Sequence, residues 1–150
     1  MEQRMSFIRF WNDRTGTSFI ETAILIPAML LLCCGTMDFA RVVYAGIEIA
    51  SAARTGVQYG ALTPGNSGNT SGMAQAALTD AADLGSTVTA SASNFCACSG
   101  STVDCTSTCG GATPDGYVSV TANYTFTPLI PYPGLPQSVL LSRTAKMRVQ

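Results

Sequence analysis

Two residues near the start of the chain, Gly16 and Glu21, and four cysteines further on, Cys96, Cys98, Cys105 and Cys109, have types and spacing that point to chemistry. Glu21 is the single formal charge in an otherwise apolar run from Phe19 to Met37. A charge at the centre of a bilayer-spanning helix costs about 2.5–3.5 kcal/mol on insertion scales and less near an end, so such groups are usually paired. No Lys or Arg lies within the run. A cut after Gly16 would supply a partner, because the new amino group of Thr17 stands four residues from Glu21 on one helical face. Two unit charges about 4 Å apart attract by about 4 kcal/mol at an effective dielectric of 20, the same order as the insertion cost. Between neighbouring helices that pairing would also fix axial register. The other reading is a glutamate that snorkels to the interface with no partner.

The cysteines are spaced C-x-C-x6-C-x3-C. In a small exported domain such a set implies two disulfides, for which three connectivities exist. A nested pairing, Cys96 with Cys109 and Cys98 with Cys105, is expected if the four sit on two arms of a hairpin, since alternate residues of one arm share a face. A structural zinc site on four thiolates is the rival. Asp80 and Asp83 are a carboxylate pair at helical spacing, but with no ligand or cation nearby in sequence they read as a solvated face. Asp104, Gly100, Gly110 and Gly111 read as turn chemistry, with no metal site.

Composition narrows the classes. The chain has 150 residues, net charge −1 and no histidine. The low, balanced charge offers no broad basic surface for nucleic acid. Lack of histidine removes the commonest general base and metal ligand, so neither an enzyme nor a cofactor is expected.

The elements that hold these positions begin with the run itself, about nineteen residues long, enough to cross a bilayer core of about 30 Å as a helix. Pro27 falls inside it and is expected to kink it, since proline removes one backbone donor and clashes with the preceding turn. Cys33 and Cys34, at membrane depth, act as small apolar residues. Apolar spacing at Phe39, Val43, Ile47, Ala50, Ala53 and Val57, beside Arg41, Glu48 and Arg54, continues the helix with one wet face. Ahead of the run, Arg4, Arg9 and Arg14 favour a cytoplasmic N-terminus. A cleaved secretory signal fits less well, because Glu21 interrupts the start of the run and no sharp small-x-small site closes it.

Beyond the helix, Leu62 to Gly72 is rich in Gly, Asn, Ser, Thr and Pro and reads as a loop. A short helix follows, capped by Ser71, with Ala74, Ala77, Leu78 and Ala81 on one face and Gly85 as its stop. The stretch Ser86–Phe95 alternates weakly as a first strand, and Gly116–Phe126 alternates clearly, with Val118, Val120, Ala122, Tyr124 and Phe126 on one side, as a central strand. Pro128–Pro136 reads as an extended crossover loop, and Ser138–Val149 as a final strand. Three or four antiparallel strands against a helix predict an α+β head.

Gly16, Glu21 five residues later and the apolar run resemble the processing site of type IV prepilins and pseudopilins. The longer stretch is similar to the TadE-like family of tight adherence (Flp-type) pilus systems. The resemblance rests on Pro27 in the span, D-F-A-R at Asp38 to Arg41, and A-A-R-T-G-x-x-Y-G at Ala52 to Gly60. It implies cleavage after Gly16 by a membrane prepilin peptidase, with Glu21 as fifth residue of the mature chain. Thr17 replaces the phenylalanine of the main type IV pilins, so N-methylation does not carry over. The implied organisation is a cytoplasmic leader at 1–16, a transmembrane and amphipathic helix at 17–61 and an exported head at 62–150. The implied role is a minor pilin or pseudopilin of the bacterial inner membrane, acting in pilus assembly, initiation or capping. Its partners would be membrane lipid, other pilin subunits and inner-membrane assembly proteins. The alternative is an unprocessed single-pass assembly factor of the same system.

Overall fold

A computed structural model of the chain describes residues 15–131, 134 and 136–149, with side chains from residue 19 onward. Arg4, Arg9 and Arg14 lie outside these residues. Helix α1 spans Thr15–Ala61, 47 residues, and runs without a break through Pro27. Thr63, in extended backbone (φ −146°, ψ 151°), follows it and caps the next element. The chain divides into two compact units, Met1–Phe39 and Ala40–Gln150.

In the first unit the run is apolar on every side. Phe19 is 83% exposed and Leu32 68%, and Ile24, Met29, Leu30 and Leu31 are exposed between them. A helix hydrophobic all round, with no protein to bury it, is suited to lipid or to other helices. The Thr36 hydroxyl donates to the Cys33 carbonyl at 2.9 Å, which satisfies it within the helix.

The second unit is an α+β domain. The expected loop after α1 contains a one-turn helix, α2 (Pro64–Ser67), with Pro64 in its first turn and the Thr63 hydroxyl accepting from the Asn66 amide at 3.2 Å. Helix α3 (Thr70–Asp80) follows, then a 3-10 turn at Ala82–Leu84 that Gly85 ends at φ +80°. The cap of α3 is Asn69, not Ser71: the Asn69 Oδ1 accepts from the Gly72 amide at 2.9 Å and from the Ser71 hydroxyl at 3.0 Å. Ser71 fails as the cap because the helix starts one residue before it, and asparagine is at least as good a cap.

Four antiparallel strands, β1 (Val88–Cys98), β2 (Ser101–Val103), β3 (Asp115–Phe126) and β4 (Val139–Arg148), form one sheet in the order β2-β1-β3-β4. Strand β3 is interior, as its alternation predicts, and pairs with β1 and β4. Since β3 and β4 are antiparallel neighbours, the proline-rich segment between them is a hairpin connection and not a crossover. Tyr132, Pro133 and Leu135 of that segment lie outside the described residues. Strand β1 runs three residues beyond the expected end at Phe95, and carries Cys96 and Cys98 into the ladder. A two-residue turn, Ser99 (φ +49°) and Gly100 (φ +88°), then reverses the chain into β2. Positive φ at both central residues matches the right-handed twist of the strands that they join.

The core lies between the sheet and its helices. Val118, Val120 and Ala122 of β3 meet Ile49, Ala52, Ala53 and Val57 of α1 and Met73, Ala77 and Ala81 of α3. On the other face of the sheet Phe95 stacks on Tyr117, directly opposite it, with ring centroids 5.5 Å apart and Lys146 over the Phe95 ring.

Candidate assembly site

The N-terminal end of α1 holds the candidate processing and assembly residues on one continuous helix. Gly16 and Thr17 have helical backbone in its first turn, and Glu21 stands four residues after Thr17, hence on the same face. Glu21 is exposed, flanked by exposed Phe19, Ile20 and Ile24. Proline at 27 leaves the Ala23 carbonyl without its usual i+4 amide donor, yet helical backbone continues on both sides.

Further along α1, the residues of the A-A-R-T-G-x-x-Y-G stretch divide by face. Ala52 and Ala53 are fully buried, and Arg54 is exposed. A Cβ on Gly56 would lie 2.9 Å from the Met73 carbonyl oxygen and 3.0 and 3.1 Å from the two Val120 methyl groups. One on Gly60 would overlap the Met73 sulfur. Only glycine lets the helix backbone come so close to α3 and β3. Tyr59 completes the seam: its carbonyl accepts from the Asn66 side chain at 3.1 Å and its hydroxyl from the Asn69 side chain at 3.3 Å. The stretch therefore docks the helix to its own domain. The motif is visible in the sequence without this use of it, for which the small residues at helical spacing are the signal. In the D-F-A-R stretch Asp38 is 6% exposed, and the Arg41 guanidinium lies 5.1 Å from the centre of the Phe126 ring.

The four cysteines form two disulfides, Cys96–Cys105 and Cys98–Cys109, with Cα separations of 5.1 and 5.6 Å. These pairs cross instead of nesting. Nesting requires both later cysteines on one straight arm, but β2 ends at Val103, opposite Cys96. Cys105 then lies two residues past that register, within reach of Cys96. The Asp104 carboxylate accepts from the Thr106 amide at 2.9 Å and the Thr106 hydroxyl at 2.8 Å, turning the chain back and bringing Cys109 to Cys98. Those two bonds, the amide first, hold the Asp104 carboxyl below the usual carboxylate range. Gly110 and Gly111, both at positive φ, make a second tight turn, in which Cys109 and Ala112 exchange backbone hydrogen bonds. Sulfurs bonded in pairs offer no thiolates to zinc. Asp80 and Asp83 are exposed on α3 and the turn after it.

No curated protein and no solved structure matches the chain. The model of one family, described as TadE-like protein, matches residues 16–58, from the glycine at the candidate cut into the docking seam as far as Gln58. The long apolar helix and the disulfide-bonded sheet make a pilin-like α+β fold, and residues 16–58 of the chain match the TadE-like family.

Proposed function

We propose that this chain is a minor pilin or pseudopilin of a tight adherence (Flp-type) pilus system, made in the inner membrane and acting in pilus assembly, initiation or capping. One observation carries the reading: the family match opens at Gly16, where a helix begins whose whole circumference from Phe19 to Leu32 is exposed and, apart from Glu21 and Thr22, apolar. Lipid holds such a helix before assembly and other pilin helices hold it afterwards, so the same surface serves both states. The leader, at 1–16, is cytoplasmic and the sheet domain is exported, in keeping with two disulfides. A prepilin peptidase cuts after Gly16, and the Glu21 carboxylate pairs with a Thr17 amine of a neighbouring subunit. Pro27 kinks the helix within the membrane. Its role is non-catalytic, and its partners are membrane lipid, other pilin subunits and inner-membrane assembly proteins.

Glu21→Gln tests the pairing, because the amide is nearly isosteric but uncharged. The expected result is fewer surface pili and loss of cross-linking between this chain and its pilin partners, with membrane level unchanged. Unaltered pilus number and unaltered cross-linking would reject it.

A further inference from the structure

Within the unit Ala40–Gln150, the two flanks of α1 on either side of its buried stripe differ in charge. One flank and strand β4 enclose a groove lined by Val43, Ile47, Ala50, Arg54, Leu141 and Arg143. It runs from Val42 to Arg54, about 18 Å at the helical rise of 1.5 Å per residue. Ile47 is 63% and Val43 46% exposed, so apolar surface lies open along it. Among the described residues neither Arg54 nor Arg143 forms an ion pair, and the Arg143 guanidinium donates only to the Ser142 carbonyl, at 3.0 Å. The groove lining has no carboxylate.

The opposite flank carries Tyr44, 50% exposed, whose hydroxyl interacts with the Glu48 carboxylate and lies within reach of the Asp83 charge. Asp80 is exposed on the adjoining end of α3, beside Thr55 and Tyr59. Two uncompensated cations with apolar surface thus lie on one side of the helix, and a carboxylate group around an exposed aromatic ring on the other.

We propose that the groove is an interaction surface for a second copy of this chain, receiving its acidic flank so that Arg54 and Arg143 face Glu48 and Asp83 and the Tyr44 ring lies against Ile47 and Leu141. Charge complementarity selects this occupant. Groove against groove would set arginine against arginine, and flank against flank would set carboxylate against carboxylate, each costly in a desolvated contact. The contact is heterologous, so every copy keeps one free groove and one free acidic flank, and it extends instead of closing as a two-fold dimer. It holds for a processed or an unprocessed chain, so its failure leaves the pilin reading standing.

The test uses full-length protein in detergent micelles, in a Cys33→Ala, Cys34→Ala background. Two differently tagged copies are mixed, one with Ser51→Cys in the groove and one with Ala82→Cys on the acidic flank, and treated with a short bismaleimide. The expected product is the mixed pair. Its yield falls about tenfold with Arg54→Glu and Arg143→Glu on the groove copy, recovers when the flank copy carries Glu48→Arg and Asp83→Arg, and falls as salt rises. Arg143→Glu alone, on an exposed edge strand, repeats the test if the double reversal disturbs folding, which melting and thiol counts report. Products linking Ser51→Cys copies to each other, a mixed yield indifferent to charge reversal, or no mixed pair at all would each overturn the proposal.

Discussion

Replacing Gly56 by alanine should destabilise the sheet domain, whereas the same change at Gly46, ten residues earlier on α1, should stabilise it. Alanine is worth about 1 kcal/mol more than glycine in a helix interior, and this gain applies at both positions. At Gly46 the new Cβ meets nothing within 4 Å, so the gain stands. At Gly56 it would lie 2.9 Å from the Met73 carbonyl oxygen and 3.0 Å from the nearer Val120 methyl. The carbonyl belongs to α3 backbone, and Met73 and Val120 are both fully buried, so no flexible chain end can give way. Helix α1 must shift against α3 and β3, and overpacking of this kind costs about 1–3 kcal/mol. The two variants should therefore differ by about 1–3 kcal/mol, which for a domain of this size is on the order of 5–15 °C in Tm. The assay is thermal unfolding of the full chain in micelles, followed by near-ultraviolet circular dichroism, which reports packing around the sheet and not the persistence of α1 in detergent. A Gly56→Ala melt as high as that of Gly46→Ala would refute the close approach and, with it, the docking role of the A-A-R-T-G-x-x-Y-G stretch.

Removing one crossed disulfide by Cys96→Ser with Cys105→Ser should cost about 3 kcal/mol from loop closure and leave Cys98–Cys109 intact, so alkylation and intact mass find no free thiols beyond Cys33 and Cys34. Cys96→Ser with Cys109→Ser should instead expose two more, and the reverse pattern would indicate nesting. For Asp104, hydrogen bonds from Thr106 depress the folded-state pKa below the unfolded value of about 3.9, so their stabilisation is complete above that value and is lost as pH falls through the folded pKa. A carboxyl-carbon NMR titration should find its midpoint below the ordinary range. Thr106→Ala should move it only part of the way back, because the amide, the larger cause, remains; an ordinary midpoint in the parent would contradict the turn geometry.

Legibility of the fold followed how local each signal is. Helix α1 was readable from the apolar run and the 3.6-residue spacing behind it, and β3 from strict alternation, because each pattern is set by one interface. The weakly alternating β1 was placed but cut short at Phe95, since the cysteines were assigned to a hairpin of their own although Cys96 and Cys98 sit in the β1 ladder. Strand β2 is three residues long and depends on the Ser99–Gly100 turn, so no periodicity announces it. Crossed pairing of the cysteines was hidden for a similar reason. It rests on where β2 stops and on the Asp104 turn, neither of which spacing encodes. The docking seam lay in plain view as Ala52, Ala53, Gly56 and Gly60, but its meaning needs Met73 and Val120, which are remote in sequence. Charge segregation across α1 was likewise invisible until β4 brought Arg143 beside Arg54.

The most direct test of the proposed role is the N-terminus of the mature protein, read by intact mass and N-terminal sequencing from inner membrane and from sheared surface filaments separately. A processed minor pilin predicts a chain that starts at Thr17 and is present in the filaments. A chain that starts at Met1 and stays in the membrane would contradict incorporation and leave a membrane-anchored assembly factor in its place.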